Sequence, residues 1–376
     1  MPKELAKFDP KRHMTFKDYF NKALYGPTGY YTTGKVDIGV QNSTAHFSTV
    51  PVAISPHFGR ATAHQLFNMW KGMRKGGSLK ENEKFHVVEF GGGTGQWAYD
   101  ILSYSRQKSR TNKNWKEFYD SLKYTIKDIS PELSKKQNKL MEGFKKKFVS
   151  EVGDAREKLF KPNSVKGVFI SNEVPDAFSP HKVVVDENGK ITVAVVRVST
   201  KGSLGALREL GLVDKKTADK ALAQAAMGKE YDLPISVFDD IIGRAGKAKL
   251  QGAEWEAVLD KIRFKEEPVG VSDVPEVQEF LAEHPKTAAM LREAAKREGG
   301  KVFYLNTDSS RFIKNAGEAL DKGYVLTVDY GMRNFLTQSP RGSSFRTYGD
   351  DYKENKTDQY ALFSDRDMTT DPAFSV

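Results

Sequence analysis

The chain has 376 residues, 39% of them hydrophobic and 29% charged, a balance that fits a globular protein with length for one elaborated domain or two. It holds no cysteine, which excludes disulfides, thiolate metal sites and cysteine nucleophiles. No window reaches the roughly 18 apolar residues of a membrane span, and the net charge of +10 admits an acidic partner such as nucleic acid, although the lysines are spread along helical stretches as on a solvated surface.

Residues 1–16 contain no apolar run and carry Glu4 and Asp9, where a mitochondrial presequence avoids acids, so a cytoplasmic location is expected. Residues 15–24 predict a helix with Thr15 as N-cap and Asp18 as an acid in its first turn. A loop of tyrosine, glycine and proline follows, Tyr25-Gly26-Pro27-Thr28-Gly29-Tyr30-Tyr31, and then a polar stretch up to Pro56. Residues 57–73 set Phe58, Ala61, Leu66, Met69 and Trp70 near helical spacing, the stripe of a core-facing helix.

From residue 85 onward the pattern alternates. Strands are predicted at 87–90, 123–127, 148–152, 165–171 and 323–329, and helices at 97–105 and 131–147, the latter with a proline in its first turn. Residues 183–185 and 191–198 flank Asn188-Gly189, a hairpin signal. Strands alternating with helices imply an α/β protein with a mostly parallel sheet covered on both faces. Between 200 and 300 helices are predicted at 206–210, 218–227, 237–245 and 277–297, which reads as a helical insertion forming a lid or substrate-binding subdomain. The chain thus divides into a segment closing over the site (1–80), a cofactor-binding core (81–199), the insertion (200–300) and C-terminal strands completing the core sheet (301–376).

Four strand ends carry candidate chemistry, and in a doubly wound sheet ligands bind there, where the strand order reverses. The first reads Val87-Val88-Glu89-Phe90-Gly91-Gly92-Gly93-Thr94-Gly95, a buried strand halting at a ligand. Gly91, Gly93 and Gly95 remove side chains where the backbone must turn tightly and a ligand come close. Their spacing, with Glu89 two residues ahead, differs from the G-x-G-x-x-G of dinucleotide folds and resembles the S-adenosylmethionine (SAM) loop of methyltransferases; glycine turns also occur with no ligand. The second end is Asp128, followed by Ile129, where a carboxylate can accept both ribose hydroxyls; a helix-capping role ahead of Ser130-Pro131 fits the same aspartate. Asp154, in Gly153-Asp154-Ala155, could face an adenine amino group or belong to an ordinary turn.

The fourth end, Asn172-Glu173-Val174-Pro175-Asp176-Ala177, follows an apolar strand. Asn172, Glu173 and Asp176 would meet the methyl end of the cofactor, and two acids there suit a cationic acceptor held by bidentate hydrogen bonds. A capped strand-to-helix turn is the alternative. The seven histidines lack H-E-x-x-H spacing, so no metal site is expected, and His181 is either a loop residue or a support for the acidic turn. No G-x-S-x-G elbow or G-x-x-x-x-G-K-[ST] loop occurs. An Asn-Pro-Pro-aromatic motif of enzymes that methylate amino groups on flat bases is also missing.

Taken in order, these segments resemble the MidA-like (DUF185) SAM-dependent methyltransferases. Residues 25–31 resemble the family's Y-x-P-x-x-G-Y-Y segment; Phe47-Ser48-Thr49-Val50-Pro51 and Ile54-Ser55-Pro56-His57-Phe58-Gly59 resemble its D-F-x-T-x-P-E-I-S-P-x-F-G stretch. Asp128-Ile129-Ser130-Pro131-Glu132-Leu133 resembles E-I-S-P-x-L, Asn172–Ala177 with His181 resembles N-E-F-F-D-A-x-P-V-H, and Val328-Asp329-Tyr330-Gly331 resembles I-D-Y-G. Phe345-Arg346 and Asp367-Met368-Thr369-Thr370 resemble the later L-R and D-L-T-A. The resemblance implies a class I, Rossmann-like fold, SAM as cofactor, and a protein acceptor methylated on arginine, with Glu89, Gly91, Gly93, Gly95, Asp128, Ile129, Asp154 and Asn172 around the cofactor. A protein partner is expected, a homodimer is open, and nucleic acid and membrane are disfavoured. Val174-Pro175 stands where the family has paired phenylalanines, and Val52-Ala53 where it has a glutamate. A methyltransferase-like scaffold without activity and an RNA methyltransferase are the competing functions.

Overall fold

A computed structural model describes residues 5–33, 38–39, 48–250 and 252–329, and the backbone of residues 345–348 and 367–370. A short strand β1 (His13–Thr15) leads into the helix Phe16–Tyr25 through a capping box: the Thr15 hydroxyl accepts the Asp18 N–H at 3.1 Å, and the Asp18 carboxylate accepts the Thr15 N–H at 3.1 Å. The strands that follow are β2 (Phe85–Phe90), β3 (Leu122–Asp128), β4 (Phe148–Val152) and β5 (Val165–Asn172). Next come β6 (His181–Val185), β7 (Ile191–Thr200), β8 (Tyr231–Asp232), β9 (Ile262–Gly270), β10 (Lys301–Leu305) and β11 (Leu320–Val328). β12 (Phe345–Tyr348) and β13 (Asp367–Thr370) pair with each other as a small antiparallel ribbon.

Five of these strands form one parallel sheet in the order β11-β5-β2-β3-β4. The chain walks outward from β2 to β4, then crosses to the other side of β2 to lay down β5. The strand order therefore reverses between β2 and β5, and a crevice opens beyond their C-terminal ends. One face is covered by the helices His57–Lys75, Gln96–Ser109 and Lys113–Ser121, which pack Leu66, Trp70, Ile101, Leu102, Trp115 and Phe118 onto Val87, Tyr124 and Ile126. The helix Thr307–Ala319 covers the other, setting Phe312 edge-on to Phe90. Phe118 and Phe169, both essentially unexposed, each contribute about 1.5–3 kcal/mol by leaving water. The long gap between Gly95 and Asp128 holds the additional helix Lys113–Ser121, N-capped by Asn112 through its side chain to the Trp115 N–H.

A second, antiparallel sheet is built from β1 and from strands that lie between β5 and β11 in sequence. Its order is β1-β7-β6-β10, with β8 and β9 also paired to β7. Here the structure differs from the sequence reading in three ways. β6 and β7 leave the parallel sheet, so residues 81–199 do not form one core, and β10 joins the second sheet rather than the first. The span 200–300 is not purely helical, because β9 runs along the whole of β7. The predicted helix 277–297 is two helices, Pro275–Glu283 and Pro285–Glu298, because Pro285 has no N–H to continue the first. Among the described residues no helix is long and apolar enough to cross a membrane.

Candidate active site

A cleft opens over the C-terminal ends of β2, β3, β4 and β5, at the reversal of strand order. Glu89, Gly91, Gly93, Asp128, Ile129, Asp154, Asn172 and Glu173 all line it. The loop after β2 turns through three left-handed residues, Gly91 (φ +63°), Gly93 (φ +53°) and Gly95 (φ +82°), which is why glycine recurs at alternate positions. Two of these have distinct further roles. A Cβ on Gly91 would stand 2.6 Å from Val174 Cγ2, so Gly91 permits the loops after β2 and β5 to touch. A Cβ on Gly93 would meet only Ile38 Cδ1 at 3.4 Å, leaving that position facing open cleft. Gly95 packs against Gln137 and starts the helix Gln96–Ser109.

The acids are held differently from one another. Glu89 is 2% exposed and accepts the Tyr124 hydroxyl at 2.5 Å. Burial pushes its carboxyl up to about 8; the Asp128 charge adds to the rise and the Tyr124 hydroxyl opposes it. Asp128, also buried, is raised by burial, against which work hydrogen bonds from the Ser130 N–H (3.0 Å), the Gln137 amide (2.8 Å) and the Gly93 and Gly92 backbone. The Ser130 hydroxyl, not Asp128, caps the helix Pro131–Leu140.

At the end of β5 the backbone turns sharply. Glu173 adopts φ +52°, a left-handed conformation costing a non-glycine residue about 1 kcal/mol or more. Its N–H is tied to the Val328 carbonyl of β11 at 2.9 Å, and its carboxylate accepts the Asn172 amide at 3.1 Å and the Val50 backbone N–H. Burial raises the Glu173 carboxyl, with those two donors opposing. The Asn172 Oδ1 atom is buried and has no hydrogen-bond partner among the described residues. An orphaned acceptor of this kind costs about 1–3 kcal/mol and marks a place where a donor is wanted.

Asp176 stands elsewhere. It lies in the 3-10 turn Pro175–Ala177, 7% exposed, outside the cleft lining, and its backbone N–H donates to Asp329 at 3.3 Å. The turn rotates it away because only Val174 and Ala177 of that stretch face the cleft. Asp154 lines the cleft, yet both its oxygens are gripped by the Arg156 guanidinium. His181 begins β6 and pairs with Glu276 at 3.0 Å, away from the cleft.

One residue that shapes the site carried no sequence signal, and the N-terminal segment read as closing over the site does line it. Gln137, fully buried, donates to both the Gly93 carbonyl (2.9 Å) and Asp128 (2.8 Å), clamping the glycine loop to the end of β3. Its position on a helix read only by periodicity gave no hint. Tyr25, Tyr31, Thr49, Pro51 and Val52 contribute a wall from the N-terminal segment. Tyr25 and Tyr31 stack with ring centroids 5.5 Å apart, and Tyr25 donates its hydroxyl to the Ala177 carbonyl at 2.6 Å.

A parallel sheet with an acidic strand end, a glycine turn and a cleft at its reversal point is the Rossmann-like architecture of class I SAM methyltransferases. The sequence matches, over residues 61–375, the family model described as "Putative S-adenosyl-L-methionine-dependent methyltransferase". The chain belongs to this family, the MidA-like group, and is a SAM-dependent methyltransferase. Its fold is shared with a COG1565 superfamily member from Burkholderia thailandensis solved with S-adenosyl-homocysteine bound, at TM-score 0.58 and 17% identity, over 96% of this chain and 70% of that one. A native structure of a COG1565 superfamily protein from the same organism aligns at TM-score 0.54 and 17% identity, over 96% and 69%. None of the curated proteins matches the sequence.

Proposed function

We propose that the cleft holds SAM along the four strand ends and that the enzyme methylates a nitrogen of a protein, with an arginine side chain as the acceptor the family resemblance favours. The observation that carries the acceptor reading is the pair at the end of β5: the buried Asn172 Oδ1, without a partner among the described residues, beside the Glu173 carboxylate. Both are hydrogen-bond acceptors, so together they recognise a group rich in N–H donors. The cofactor assignment draws on the family description and on the bound S-adenosyl-homocysteine of the Burkholderia neighbour.

In this reading Glu89 and the turn 91–95 hold the amino-acid end, Asp128 with Ile129 the ribose, Asp154 the adenine, and Asn172 the edge nearest the methyl group. SAM supplies a methyl group already activated on a sulfonium. The protein's work is then to position and to handle one proton. Glu173, fixed by its tie to β11, orients the incoming nitrogen and accepts the proton that nitrogen sheds; its raised carboxyl makes it a better base than an exposed glutamate. Asp176 has no place in this step.

Glu173→Gln tests the assignment, since it keeps shape and removes the base. Turnover on a methyl-accepting protein is expected to fall at least about 100-fold while SAM binds as before. Unchanged methyl transfer by this variant would sink the acceptor reading.

A further inference from the structure

Between the cleft and a second, charged hollow stands a wall made of Tyr25, Asp154 and Arg156, residues common to both. Arg156 is the keystone of that wall. Its Nε and Nη2 grip Asp154 (2.9 Å to Oδ1, 2.6 Å to Oδ2), and its own backbone N–H adds a third bond to Oδ1 at 2.9 Å. The guanidinium carbon lies 5.0 Å from the centre of the Tyr25 ring, and Nη1 donates to Asn21 at 2.6 Å. Asn315, from the helix Thr307–Ala319, donates to the Arg156 carbonyl at 3.0 Å. Asp154 and the helix Phe16–Tyr25 therefore fix a side chain that is only 14% exposed, and the helix Thr307–Ala319 fixes its backbone.

A carboxylate offers about four acceptor positions. The Arg156 N–H occupies one position on Oδ1 and Nη2 one on Oδ2, while the single Nε hydrogen is shared between the two oxygens at 2.9 and 3.1 Å. Three hydrogens thus meet the carboxylate, and one acceptor position remains. A planar, two-pronged donor holds a carboxylate plane in a single orientation, which a lysine cannot do.

We propose that Arg156 is a positioning residue for the cofactor's base: it locks Asp154 so that its one remaining acceptor position faces the exocyclic amino group of adenine. This rests on the reading of Asp154 as the adenine acceptor, and the test separates the two. The probes are S-adenosylhomocysteine and its analogue bearing unsubstituted purine, which lacks the amino group. Wild type is expected to prefer S-adenosylhomocysteine about tenfold or more, the value of a hydrogen bond to a charged group. Arg156→Met and Arg156→Lys should erase most of that preference while holding the purine analogue within about twofold of wild type, and Asp154→Ala should do the same. Arg156→Lys keeps the charge and guards against a methionine variant that fails to fold. Equal weakening of both ligands by the arginine variants would make Arg156 a structural strut only, and an undiminished preference would also overturn the proposal. A preference that survives Asp154→Ala in a protein that still binds S-adenosylhomocysteine would refute the reading of Asp154, and this proposal with it.

Discussion

Glu89 shows what a buried acid at a ligand site costs and what it offers. Its carboxyl titrates near 8 in the folded chain against about 4.5 unfolded, because burial penalises the charge. Between those values the folded state carries a proton that the unfolded state has lost. Glu89 thus contributes stability that is present below about pH 4.5 and is lost as the pH rises toward 8, at most about 1.4 kcal/mol per pH unit. A cationic ligand reverses the preference, since it favours the carboxylate. SAM affinity is therefore expected to strengthen between about pH 5 and 8 in the wild type, and to stay flat over that window in Glu89→Gln. Calorimetric titrations at several pH values check this, and a flat wild-type profile would remove Glu89 from the site.

At the scale of elements, the decisive contact is between the loops after β2 and β5, where Gly91 meets Val174. Alanine at Gly91 must adopt φ +63° and also press on Val174, so it should destabilise by about 2–4 kcal/mol, the backbone strain and the overpacking together. In a Val174→Ala background the second cost disappears and the effect should shrink to about 1–2 kcal/mol. Urea denaturation of the four members of this cycle measures the coupling; additive effects would mean the loops do not press on each other. Val174 is also where the chain departs from its family's paired phenylalanines, and the small side chain is what that glycine contact accommodates.

The same element scale shows what could be read beforehand. β2, β5 and β11 were legible because each is a short apolar run ending at a glycine, an asparagine or an aspartate. β9 was not: Lys265, Glu266 and Glu267 pair across the sheet with Glu230, Lys182 and Arg197, so the strand shows charge instead of apolar alternation. The cleft's acids were legible as strand ends, whereas Asp176 leaves the cleft in a 3-10 turn that starts at Pro175, the strand-to-helix alternative that the sequence also allowed. Arg156 and Gln137 escaped notice for a different reason. Their partners are fixed by the packing of separate elements, which no local pattern encodes.

As a whole molecule, the protein joins a parallel sheet that presents the strand ends to an antiparallel sheet, and the N-terminal segment supplies one wall of the cleft. The helix Phe16–Tyr25 packs in the second sheet's core yet reaches the cleft through Tyr25. Its Lys17, nearly buried, bonds Glu276 at 2.6 Å and Asp308 at 2.9 Å, tying it to the helices Pro275–Glu283 and Thr307–Ala319. Removing one partner of such a pair leaves an uncompensated charge, so this junction is expected to resist movement. The central claim, a SAM site at the reversal of strand order, is tested most directly at Gly93, whose missing side chain faces the open cleft. Aspartate tolerates a left-handed backbone better than most residues, so Gly93→Asp should fold while placing bulk and negative charge in the cofactor's path. Isothermal titration with S-adenosylhomocysteine is the measurement. Wild type should bind one equivalent, and Gly93→Asp should show no binding while its thermal midpoint falls by only a few degrees; a folded wild type that binds nothing, or a variant that binds as wild type does, would contradict the account.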